Sequence, residues 1–315
     1  MRLAIPDLIS NSYFPALAAA ELGFFAREGL DDVSVELIFP VDRCYEALRD
    51  GAVDFVGGAA HGALAAFPGW RGVKLLGALA QGMYWLLVMR ADLDIARGDL
   101  ASLRGRRIGA APWVEMGLRA VLAAAGLVPQ RDDIRIGPVP GAGGANTNFG
   151  LTAAAALEAG AIDGFWANGM AAELAVSSGV GTLVLDVRRG DGPAGCFDYT
   201  LPVLATTDRL VENVPDAAAR AQRALIATLQ ALRADPSRAT QVGEKRFPAR
   251  EAALIADIVC RDLPFYNAAI SRRSFAAVNQ FARAMGILDA AADYSDIVWR
   301  RGNEGREGEE HADRC

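Results

Sequence analysis

Few side chains in this sequence could serve as nucleophiles, metal ligands or covalent anchors, and their spacing narrows the chemistry further. The cysteines Cys44, Cys196, Cys260 and Cys315 contain no CxxC pair, and the only histidines are His61 and His311. That pattern carries neither a zinc signature nor a disulfide framework, so no metal or other cofactor is expected. Lys74 and Lys245 are the only lysines, which leaves little room for Schiff-base or pyridoxal chemistry. Cys44 and His61 could form a thiolate–imidazole pair. A lone cysteine is more often a small buried apolar residue.

What remains is a set of rings, amides and hydroxyls placed where turns open, which suits binding better than bond making. Ser10, Asn11, Ser12 and Tyr13 follow the first strand-like segment, as either a capping turn or ligand contacts. Arg43, beside Asp42, follows the second strand and reads either as a solvated arginine or as an anion clamp. His61 lies just past Gly57-Gly58, and Tyr84 adjoins Trp85. Neighbouring strand side chains point to opposite faces, so one of that pair is expected in the core. Pro112-Trp113-Val114-Glu115 opens a helix directly after a strand. There Trp113 offers a flat wall, while Glu115 is either a ligand contact or a complement to the helix dipole. Asn168 holds, in the second round, the place that Ala59 to His61 hold in the first, and Asp198 is either a binder or a hinge residue.

The elements that must position these residues alternate. Arg2 to Pro6 reads as a strand, and Phe14 to Phe25 as a helix closed at Gly29. Val33 to Phe39 is a strand, and a helix follows with Asp42 as its N-cap. Strand–helix alternation with short glycine-bearing links predicts parallel βαβ units. A second round starts near Arg107, and its Gly141 to Asn148 segment reads as a long cleft-side loop lacking a phosphate-binding motif. The last third is mainly helical, and residues 301–315 read as a charged disordered tail.

One echo ties the two rounds together. Ala47-Leu48-Arg49-Asp50-Gly51-Ala52-Val53-Asp54 is matched by Ala156-Leu157-Glu158-Ala159-Gly160-Ala161-Ile162-Asp163. Equal places within successive βα rounds predict two similar α/β lobes, with a cleft at the carboxyl ends of both sheets.

The 315 residues carry 32 Lys plus Arg against 38 Asp plus Glu, a net charge of −6. This balance argues against a nucleic-acid or anionic-membrane binder. Arg, Asp and Gly interrupt every apolar stretch, so no transmembrane segment is predicted. The chain begins directly with a strand, so it reads as cytoplasmic as it stands, or as periplasmic if a leader was removed or misassigned.

Over roughly residues 1 to 300 the sequence resembles the solute-binding proteins of ABC importers, in the nitrate, sulfonate and taurine branch that includes the thiamin-pyrimidine-synthase-like proteins. The resemblance is carried by Tyr13-Phe14-Pro15-Ala16 with Ala20-Glu21-Leu22-Gly23-Phe24-Phe25, then Glu46-Ala47-Leu48 with Gly51-Ala52-Val53-Asp54-Phe55. Leu103-Arg104-Gly105-Arg106-Arg107-Ile108-Gly109, the helical run after Thr207-Asp208-Arg209-Leu210, and Tyr294-Ser295-Asp296-Ile297-Val298 continue it in order. It implies an α/β, two-lobed periplasmic-binding-protein-like fold of type II with the ligand cleft between lobes. Lobe one would comprise 1–90 and 200–300, and lobe two 91–199. The implied function is capture of a small aromatic, heterocyclic or sulfonate-like solute for ABC-type uptake, with a permease as a further partner. The alternative is a cytoplasmic enzyme on the same scaffold, resembling a desulfinase or the pyrimidine synthase. Ser12 stands where the desulfinase resemblance places a cysteine nucleophile, and the synthase's cysteine-rich motif is absent. The expected site therefore comprises Asn11, Ser12, Tyr13, Arg43, His61, Tyr84, Trp113, Glu115, Asn168 and Asp198, with no catalytic residue assigned.

Overall fold

The computed structural model describes residues 1–142 and 148–300. Two five-stranded sheets organise them. The first contains β1 (Arg2–Ile5), β2 (Ser34–Leu37), β3 (Phe55–Ala59), β4 (Val73–Ala78) and β10 (Pro202–Thr207), in the order β2-β1-β3-β10-β4. The second contains β5 (Leu86–Arg90), β6 (Arg107–Ala110), β7 (Arg135–Gly137), β8 (Gly164–Ala167) and β9 (Gly181–Asp186), in the order β7-β6-β8-β5-β9. Each sheet has three parallel strands and two joined antiparallel to their neighbours. The chain passes between sheets twice, after β4 and after β9. β5 already pairs in the second sheet, so that sheet begins at Leu86, ahead of the expected boundary at 90.

The echo has a physical cause. Gly51 and Gly160 both take positive φ where a helix ends, a conformation glycine adopts without a Cβ clash. Asp54 Oδ2 then accepts from the Arg2 amide at 2.7 Å, and Asp163 Oδ2 from the Arg107 amide at 2.8 Å. The same two arginines donate from Nη2 to the carbonyls of Gly51 and Gly160. Each pair clips a strand start to the turn that precedes its neighbour.

Helices α1 (Phe14–Glu21) and α2 (Phe24–Arg27) replace the one expected helix, because Gly23 in the left-handed region breaks it. Helix α3 (Val41–Arg49) is capped by Pro40 without a side-chain bond, so Asp42 lies inside its first turn rather than at the cap. In the second lobe, α4 (Glu115–Ala124), α5 (Phe149–Glu158) and α6 (Gly169–Ser177) flank the sheet. The last third supplies α7 (Asp208–Asn213), α8 (Pro215–Ala234), α9 (Arg238–Arg246), α10 (Ala249–Asp262), α11 (Arg272–Ala284) and α12 (Tyr294–Ile297). Most of the expected loop at 141–148, and the expected tail at 301–315, lie outside the described residues. No helix among the described residues is long and apolar enough to cross a membrane.

Candidate functional site

The carboxyl ends of β1, β2, β6 and β8 face one another across a narrow cavity. Pro6, Asp7, Ser10 and Tyr13 line it after β1, and Phe39 and Val41 after β2. Ala111, Pro112 and Val114 come from the end of β6, Phe149 from the start of α5, and Ala167 and Asn168 from the end of β8. Trp85, on the first crossing, completes the lining. As the lobes stand the cavity is about 40 Å³, room for about three water molecules, so a small organic ligand requires the lobes to part. Both sheets contribute, as an open α/β sheet does at its strand ends.

The polar centre of this apolar cavity is Asp7, which the sequence reading did not select. Its Oδ1 accepts from the Ile9 amide at 3.3 Å, and its Oδ2 accepts from Asn168 Nδ2 at 2.6 Å. Burial disfavours the charged form and pushes its pKa from 3.8 to about 7, against the opposing pull of these hydrogen bonds. The available signal was its place directly after the first strand, at the carboxyl end of a central parallel strand. Ser10 sits beside it, with a buried hydroxyl that has no partner.

Asn168 caps α6, its Oδ1 accepting from the Ala171 amide at 3.0 Å while its Nδ2 reaches Asp7. One residue on, the Gly169 amide donates to Asn11 Oδ1 at 2.9 Å. Two residues after β1 thus bind the first residues of α6 directly, and the cleft is drawn together at that seam. Gly169 makes this possible, since an added Cβ would lie 2.8 Å from Asn11 Oδ1.

Of the other expected residues, Tyr13 lines the cavity, with its hydroxyl 2.5 Å from that of Tyr84. Asn11 and Tyr84 line a second cavity behind this pair. The amide of Asn11 is engaged by Asp262 as well as Gly169, and its carbonyl accepts from Tyr266 at 2.5 Å. Ser12 is fully buried and its hydroxyl is unpartnered, lining neither cavity.

The remaining five lie outside both linings. Arg43, with its side chain 63% exposed, pairs with Glu46 at 2.5 Å on α3, as the solvated reading expected. His61 is fully buried; its Nε2 donates to the Trp113 carbonyl at 3.0 Å. Since a carbonyl only accepts, Nδ1 is the unprotonated nitrogen and accepts from the Thr200 hydroxyl at 2.9 Å. Burial lowers the pKa of His61 to about 4, so it is a neutral tie between β3, the second crossing and β6. Trp113 takes φ +68, and its half-buried ring packs on the core beside His61. Glu115 sits in the first turn of α4, half-buried, with burial raising its pKa. Asp198 pairs with the exposed Arg273 at 3.2 Å.

Nor do Cys44 and His61 meet. The Cys44 thiol is buried and donates to the Ile38 carbonyl at 2.9 Å, and burial raises its pKa well above the ordinary value. Such a thiol is not an activated nucleophile. Among the described residues no cluster of three His, Cys, Asp or Glu side chains could hold a metal ion.

Two α/β lobes joined by two crossings, with a lined cleft at their strand ends, define the type II periplasmic-binding-protein-like fold. The chain belongs to the NMT1/THI5-like family, whose model matches residues 10–239. It is similar in structure to the alkanesulfonate-binding protein SsuA from Xanthomonas axonopodis pv. citri bound to MOPS, at 16% identity and TM-score 0.73. That match covers 96% of this chain and 98% of the other. The periplasmic nitrate-binding protein NrtA from Synechocystis PCC 6803 matches at 17% identity and TM-score 0.68, covering 92% of this chain and 82% of that one. The desulfurization enzyme DszB matches at 18% identity and TM-score 0.59, covering 92% and 94%. At such identities these likenesses establish fold. No curated protein matches the chain in sequence.

Proposed function

We propose that this chain is the substrate-binding component of an ABC-type importer. It captures a small, flat heterocycle bearing an N–H donor in the cleft between its lobes. The observation that carries the reading is Asp7, a buried carboxyl set in an otherwise mainly apolar and aromatic lining. Tyr13, Phe39, Trp85 and Phe149 supply flat surface, and Asp7 and Asn168 supply an acceptor and an amide. Among the described lining residues there is no arginine, lysine or histidine to meet an anionic group. Within the aromatic, heterocyclic and sulfonate-like range that the expected rings and amides suggest, this favours a neutral N–H-bearing ring over a sulfonate.

The names of the solved neighbours support solute binding for uptake, and a permease partner and a periplasmic location follow from that role. Catalysis finds less support: no cysteine lines the first cavity among the described residues, and Ser12 is buried away from it. Calorimetric titration with neutral pyrimidines, benzoate and benzenesulfonate tests the reading. Tightest binding by a pyrimidine, with no turnover, is expected; preference for the sulfonate overturns it.

A further inference from the structure

The second cavity lies behind the Tyr13–Tyr84 pair, between α6, the turn after β9 and the end of α10, and has a volume of about 270 Å³. Four arginines reach it, and each has a carboxylate partner. Arg97 pairs with Asp191, Arg189 with Asp186, Arg261 with Glu173 and Arg188 with Asp262. The first three are about half exposed, so water can complete their hydrogen bonding.

Arg188 is different. Its side chain is 4% exposed, and only Nη1 is used, donating to Asp262 at 3.0 Å. Among the described residues, Nε and Nη2 are buried without any hydrogen-bond partner. The rings of Tyr84 and Phe265 cover the guanidinium face, at 5.7 and 4.9 Å, and a ring face cannot replace in-plane acceptors. Buried charged donors left unpaired are costly. Nε–H and Nη2–H also point along one edge of the guanidinium, the fork that accepts two oxygens of a carboxylate side by side. Asp262 meets Arg188 only through Oδ2, which also accepts from Asn11, and it does not engage the Nε/Nη2 edge.

We infer that this cavity is a second ligand site, for a small carboxylate held bidentately by Nε and Nη2 of Arg188. Arg188 follows a strand of the second sheet, and Asp262 ends a helix of the last third. The fork is shielded from solvent where these two meet, so the carboxylate enters while the lobes are apart and is enclosed as Asp262 returns. It pairs the unpaired edge of the guanidinium and favours the closed arrangement without touching the first cavity. This inference does not depend on what occupies that cavity.

The test uses sodium acetate against sodium chloride at equal ionic strength. Acetate is expected to raise the melting temperature saturably above the chloride baseline, because a ligand of the native state stabilises it. Arg188→Lys keeps the charge and loses the fork, so acetate affinity should fall at least about tenfold. In case that variant fails to fold, the wild-type protein labelled with ¹⁵N-arginine gives an independent reading. One buried Nε–H signal should shift saturably with acetate, at the concentration that moves the melting temperature. No acetate effect beyond chloride, an unchanged response in a folded Arg188→Lys, or no saturable Nε–H shift would each overturn the inference.

Discussion

At the amino ends of their strands the two lobes repeat one another: Arg2 with Gly51 and Asp54, Arg107 with Gly160 and Asp163. At the carboxyl ends they part. After β1 come Asp7, Ser10, Asn11 and Ser12, all buried and polar. After β6 come Ala111, Pro112 and Val114, which offer a mostly apolar wall, while Trp113 contributes its backbone carbonyl to His61. The shared end solves a folding problem, the clipping of a strand to a turn, and one solution serves both lobes. The divergent end faces the cleft, where one half supplies directional bonds and the other covers them. In this account the first lobe selects the solute and the second, through Asn168 and Gly169, encloses it.

Asp7→Asn should break that division most severely. The side chain keeps its shape and loses a charge-assisted acceptor, so affinity for a pyrimidine ligand should fall about ten- to a hundredfold, read by calorimetry. A smaller loss is expected for Gly169→Ala. Its added Cβ would collide with Asn11 Oδ1 and hold the seam open, weakening binding roughly tenfold, the worth of about 1.4 kcal/mol. Solution scattering should then show a larger radius of gyration with ligand present. For Trp113→Ala the prediction concerns stability: a loss of about 1–3 kcal/mol in unfolding free energy, with affinity in the folded protein within about threefold. A larger drop in affinity would place its ring at the ligand. Cys44→Ala should change affinity by about threefold or less, under about 0.7 kcal/mol, because the thiol is buried under α3. Loss of any measured turnover with the fold intact would instead reveal a thiol enzyme.

The architecture was legible because its signals are local and repeated. Glycine-ended helices, short apolar strands and the echo around Gly51 and Gly160 recur at matching places, and periodicity reports such features well. Positions at strand mouths were also legible, which is why Tyr13 and Asn168 fall on the cavity and Asn11 on the seam. What the sequence could not show was direction. His61 and Trp113 sit at correct mouths, but the left-handed φ of Trp113 presents its carbonyl to His61 and leaves its ring on the core. Arg43 lies in the first turn of α3 on the outer side, where Glu46 is within reach. An aspartate after a proline reads as a turn residue; only burial between the two lobes, which raises its pKa, sets Asp7 apart.

The most direct test of Asp7 as the recognising group is the pH dependence of ligand affinity, using a pyrimidine that does not itself titrate between about pH 5.5 and 8.5. In the free protein the raised pKa means the folded state holds a proton that the unfolded chain releases near 3.8. Its contribution to stability is therefore present at low pH and lost as pH rises through about 7. The ionised carboxylate accepts a ligand N–H more strongly than the carboxylic acid does, so below this point tight binding is coupled to loss of that proton. The account predicts constant affinity above about pH 7 and a fall approaching tenfold per pH unit below it, with Asp7→Asn weak and flat throughout. Wild-type affinity independent of pH, and equal to that of Asp7→Asn, would contradict it.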